Sequence, residues 1–95
     1  MVFGMVVGTV VCSSRKDGTD GPRYLLVERT DPRGRRKGDH LVALDAVGAG
    51  HEELVLVSEG SPARETPSTV NRPFDALIVG IVDVVDGQEG ILYKK

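Results

Sequence analysis

Three stretches of this 95-residue chain are apolar on both faces that a β-strand would present. In VFGMVVGTVVC (2–12), alternation places Val2, Val6, Val10 and Cys12 on one side and Phe3, Met5, Val7 and Val11 on the other. ELVLVSE (53–59) opposes Leu54 and Leu56 to Val55 and Val57, and ALIVGIVDVVD (76–86) opposes Leu77, Val79 and Ile81 to Ile78, Val82 and Val84. A barrel of this size has one interior, so its outer apolar faces need a cover that the few helical residues cannot supply. Partner subunits are the expected cover, and the pattern predicts an oligomer.

The apolar runs are rich in Val, Ile and Leu, and Gly4, Gly8 and Gly80 inside them weaken a helix more than a bent strand. RYLLVERT (23–30) and HLVALD (40–45) add two more strands, and ILYKK (91–95) adds a short terminal one. Turn formers separate them in SSRKDGTDGP (13–22), DPRGRRKGD (31–39) and DGQEG (86–90). Ser61 stands at an N-cap and Pro62 at a first helical position, which predicts a helix of one or two turns. An irregular connection, PSTVNRPFD (67–75), follows it. The chain therefore reads as all-β, one domain over 1–95, a small closed or partly open barrel of five to six strands with one short helix.

Twelve basic and fourteen acidic residues leave a net charge of -2, which gives no bulk attraction to nucleic acid or to an anionic membrane. No apolar run approaches the roughly 20 residues of a helical membrane span. Cys12 is a lone cysteine and the first residues lack the pattern of a secretory signal, so a reduced, cytosolic and soluble chain is expected.

Chemistry-bearing residues are sparse. Asp45, at a strand end in ALDAVG, invites comparison with a retroviral-type aspartic protease, but Ala46 and Val47 stand where a hydroxyl residue and glycine would be needed. Asp45 is better read as bonding nearby turn amides. His40 and His51, with Cys12, have no metal-ligand spacing, and Cys12 has no neighbouring histidine to activate it. Arg33, Arg35, Arg36 and Lys37 form a dense basic turn that an OB-type barrel could turn to single-stranded nucleic acid, but the stacking aromatics are missing, Tyr24 being the single candidate nearby. Gly48 and Gly50 make a tight bend, a barrel corner or a contact point for another chain, without the Lys-Ser or Lys-Thr of a phosphate loop. No catalytic set, cofactor or metal site is expected, and an enzyme is the weakest class.

In order along the chain, VFGMVVGTVVCSSRK, LVALDAVGAG, VLVSEGSPAR and NRPFDALIVGIVDVV resemble the vertex proteins of bacterial microcompartment shells, the EutN/CcmL type of carboxysomes and catabolic metabolosomes. The resemblance implies an OB-like barrel assembled as a cyclic homopentamer that caps the corners of a polyhedral shell in the bacterial cytoplasm. It implies contacts with hexameric shell proteins, allows trimeric ones, and carries no catalytic residues. By that resemblance Gly48, Ala49, Gly50 and Glu53, with Ser61, Ala63 and Arg64, face the neighbouring hexamers. Two residues depart from the family pattern: Glu52 stands where a third glycine is expected, and Pro62 replaces a common serine. An OB-type module for single-stranded nucleic acid is the alternative reading.

Overall fold

The computed structural model describes residues 1–11, 23–60 and 76–95. Five strands close into a barrel in the order β1-β2-β3-β5-β4. They are β1 (Val2–Val10), β2 (Tyr24–Thr30), β3 (Arg36–Asp45), β4 (Leu54–Glu59) and β5 (Ala76–Ile81). β1 pairs with β2 on one side and β4 on the other, and β3 meets β5 in a parallel pair through Leu44 with Leu77 and Asp45 with Ile78. Closure removes the free sheet edges that an open five-stranded sheet would leave.

The interior is built from aliphatic side chains of modest size. Val6, Leu25, Val27, Ala43, Ala49, Val55, Val57, Ala76 and Ile78 form one cluster, while Leu44 and Leu77 form a second, against which Tyr24 packs. β1 and β2 approach so closely that a Cβ on Gly4 would lie 2.3 Å from Val27 Cγ1. Glycine is thus required at residue 4 by packing, not by backbone conformation.

Strict alternation fails within β1. Val6 pairs with Val27 but Gly8 pairs with Leu26, so Val7 is an extra residue at a β-bulge. The bulge reverses the parity, and Val10 shares a face with Gly8 rather than with Val6, contrary to the alternation drawn over 2–12. β1 also stops at Val10; Cys12 lies outside the described residues.

Two element boundaries differ from the sequence reading as well. The turn placed over 31–39 is confined to its first half, and β3 begins at Arg36. Asp31 tightens that turn, its Oδ1 accepting the N–H groups of Arg33 and Arg35, each at 2.9 Å. The single strand expected over 76–86 is two. Val82 donates its N–H to Leu54 O at 2.8 Å and buries its side chain, and beyond Asp83 the chain leaves the barrel. Val84–Gly87 then forms β6, which pairs with β7 (Gly90–Lys94) in a separate two-stranded sheet. The hairpin lies back on the barrel at Gly34, where an added Cβ would stand 3.2 Å from the Tyr93 ring. The helix expected from Ser61 and Pro62 lies outside the described residues.

The barrel wall is apolar on its outside too. Gly8, Leu26 and Val42 are register partners across β1, β2 and β3, on the face opposite Val27. Val42 is 46% exposed and Leu26 half-buried. Val79, the extra residue between two β5 positions paired with β4, is exposed as well. The two-faced pattern read from the strands is therefore present as exposed aliphatic surface on the single chain.

Candidate functional site

The turn between β3 and β4, residues 46–53, is where the fold concentrates its hydrogen-bonded order outside the sheets. Asp45 ends β3 and turns its carboxylate into the bend. Oδ1 accepts the backbone N–H groups of Val47, Gly48 and Ala49 at 3.1, 3.0 and 3.1 Å. Arg23 donates to Asp45 Oδ2 at 2.8 Å and to the Ala49 carbonyl at 3.1 Å. The Asp45 side chain is 2% exposed, so its charge is compensated within the fold by one cation and three amides. The role read from sequence, a carboxylate bonding turn amides, is the one it has.

Ala49 is fully buried in the main core cluster and pins the middle of the turn to the barrel. On either side the turn needs left-handed backbone. Gly48 has φ +77°, with nothing within 4 Å of an added Cβ, and Glu52 has φ +66°. Glu52 is the non-glycine residue with positive φ among the described residues. A side chain in that region costs on the order of 1 kcal/mol relative to glycine. Main-chain bonds hold the conformation: Glu52 donates its N–H to Val6 O at 2.8 Å, and Val6 donates to Glu53 O at 3.1 Å. The departure at 52 therefore leaves the loop in the glycine conformation and adds a carboxylate to it. That side chain is 72% exposed, with His51 Nε2 3.8 Å away.

Glu53 closes the turn. Its Oε1 accepts the Gly50 N–H, and its Oε2 pairs with the Lys95 ammonium. The Lys95 partner, then the Gly50 amide, hold the Glu53 carboxyl below the ordinary carboxylate range, and Glu53 raises Lys95 in return. Lys95 also donates its backbone N–H to Asp83 O at 2.8 Å, which closes the open end of the β6–β7 hairpin, while its side chain ties that end to the turn.

Of the seven residues expected at the shell contact, Gly48, Ala49, Gly50 and Glu53 lie together in this turn; Ser61, Ala63 and Arg64 lie outside the described residues. Gly48 presents open backbone, whereas Ala49 is a buried anchor and not an exposed contact. Arg23 and Lys95 were not legible as parts of the site: each reaches it across the fold, from 22 residues before Asp45 and 42 residues after Glu53. The one trace in the sequence is that both carboxylates flanking a glycine turn need cations from somewhere.

Several of the other charged groups have partners within the fold. In the basic turn, Arg35 bonds Asp31 at 2.8 Å and Arg36 stands 3.6 Å from Glu28, so part of its positive charge is compensated. Glu28, nearly buried, also accepts the Gly38 N–H at 3.0 Å and faces His40 at 3.7 Å. His40 and His51 both lie at the surface, and no group of three His, Cys, Asp or Glu among the described residues is placed to hold a metal ion.

The described residues thus combine a closed β-barrel, aliphatic side chains exposed on its outer wall, and a hydrogen-bonded, glycine-bearing turn at one end of it. Residues 1–83 match the family described as ethanolamine utilisation protein EutN/carboxysome, and this chain belongs to that family. It is 43% identical over its whole length to the carboxysome shell vertex protein CcmL of Synechocystis sp., covering 95% of that protein. It is 40% identical to the microcompartment shell vertex protein EutN of Escherichia coli, with 99% and 100% of the two chains covered. A solved structure of a carboxysome subunit, CcmL, superposes with a TM-score of 0.90 at 43% identity, over 100% of this chain and 99% of that one. The pentameric shell protein GrpN of Rhodospirillum rubrum superposes with a TM-score of 0.79 at 41% identity, over 92% and 99%.

Proposed function

We propose that this chain is a structural vertex protein that assembles as a homopentamer and caps the corners of a polyhedral bacterial microcompartment shell in the cytoplasm. The carrying observation is likeness over the full chain, in sequence and in fold, to shell vertex proteins, including one described as pentameric. Apolar surface around Leu26, Val42 and Val79 is compatible with it, because exposed surface of this kind is what a subunit interface covers. Carboxysome and EutN relatives stand at similar identity, so the corner-capping role is the part common to both.

In this reading the 46–53 turn, with Ser61, Ala63 and Arg64, meets the edges of hexameric shell proteins. Support comes from the order of the turn: Asp45 and Glu53 each fix backbone amides, so little further ordering is needed on docking. The role is non-catalytic and uses no cofactor, metal or nucleic acid.

Native mass spectrometry of the untagged protein across concentration tests the assembly. A dominant fivefold multiple of the 10.2 kDa chain is expected; a persistent monomer or dimer overturns the proposal. Co-expression with a hexameric shell protein, followed by isolation of closed shells, tests the role. Vertex protein absent from the purified shells would count decisively against it.

A further inference from the structure

We propose that Glu52 sets partner specificity at the shell contact, its carboxylate reading a basic side chain on the edge of the shell protein that abuts the pentamer. This rests on the vertex reading above and names the chemistry of the partner. The backbone at 52 is one that glycine takes without strain, yet a glutamate occupies it at φ +66°. The strain is imposed by the barrel, because the Glu52 N–H is held by Val6 O and the next residue's carbonyl by Val6 N–H. Among the described residues the side chain, 72% exposed, has one charged neighbour, the exposed imidazole of His51 at 3.8 Å. Glu53, next to it, is the opposite case, with both carboxylate oxygens used inside the chain.

The surroundings fit a docking edge. Val47 and Gly48 expose apolar surface and bare backbone at the other end of the turn, and Ala49 holds the turn to the core between them. A partner seated on Val47 and Gly48 would bring its rim to Glu52. A lysine or arginine there would find an acceptor whose backbone is already fixed, whereas an acidic rim would be repelled, which is discrimination by charge at the edge of a contact.

The test compares the intact pentamer with Glu52→Gln, Glu52→Gly and Glu52→Lys pentamers for binding to immobilised purified hexameric shell protein from the same compartment, at low and at raised salt. Glu52→Gln and Glu52→Gly should each weaken binding about fivefold at low salt, with the loss shrinking as salt screens it, and Glu52→Lys by more than about tenfold. Glu52→Gly should at the same time melt at or above the parent temperature, which separates lost recognition from lost folding. Variants that bind within about twofold of the parent at both salts overturn the assignment of Glu52 alone. A parent pentamer that binds no hexamer overturns the vertex reading, and this inference with it.

Discussion

Arg23 and Asp45, 22 residues apart, meet at 2.8 Å at the base of the β3–β4 turn, and the same guanidinium reaches on to the Ala49 carbonyl. The pair joins the start of β2 to the end of β3 and converts a glycine-containing bend into a fixed one. Asp45→Ala leaves three amides without their acceptor and Arg23 with the Ala49 carbonyl but no carboxylate. It should cost about 2 kcal/mol, discounted because Arg23 is half exposed and Val47 and Gly48 can turn to water. Hydrogen exchange should accelerate at the amides of residues 47–49. Unchanged protection there would show that the carboxylate does not hold the turn.

Gly4→Ala tests the close approach of β1 to β2. The new methyl meets Val27 Cγ1 at 2.3 Å, so β1 or Val27 must shift, at a cost of about 1–3 kcal/mol. Gly8→Ala, whose methyl would meet Leu26 at an ordinary 3.7 Å, should cost less than about 1 kcal/mol. Thermal melts of the two variants should rank in that order.

Much of this architecture is legible in the sequence, and the failures have local causes. Five apolar runs bounded by glycine, proline and charge locate the barrel strands because side-chain alternation and turn chemistry are short-range. Val7 breaks the parity of β1 because a bulge depends on register with β2, which no single strand declares. The split after Val82 is hidden for a similar reason: VDVV reads as strand, but the Val82 N–H is the last to bond β4, at Leu54 O, and from Val84 onward the chain pairs with β7 instead. Of the site, Asp45 is legible as a turn carboxylate because its targets are two to four residues away, whereas Arg23 and Lys95 arrive through tertiary structure.

Glu53 gives the turn a pH dependence with a definite sign. Its folded-state pKa lies below the ordinary 4.5, so in that window the folded chain binds fewer protons than the unfolded one. Its contribution to stability is present above pH 4.5 and is lost as pH falls through the folded value. Lys95, raised above 10.5, contributes below that pH and loses the contribution as pH rises through its folded value. Glu53→Gln removes the negative end of the pair and leaves Lys95 without that carboxylate, so the parent and variant melting temperatures should differ most near neutrality and converge below pH 4.5. A gap that persists unchanged into acid would show that the charge on Glu53 is not what stabilises the turn.

Val42 carries the most direct test of what covers the barrel. It continues the row Gly8, Leu26, Val42 across three strands on the outer face and is 46% exposed in the single chain. Val42→Asp places a charge on that surface. In an isolated barrel the carboxylate would be solvated, and stability should change by no more than about 1 kcal/mol. Beneath a neighbouring subunit it would be desolvated without a partner, at a cost of several kcal/mol at every contact of a ring. The variant should therefore keep its β-sheet circular dichroism while its native mass falls from the fivefold multiple of 10.2 kDa to the single chain. Retention of the full ring at submicromolar protein would place Val42 outside the interface and move the buried contact to another apolar face, with Val79 the next residue to charge.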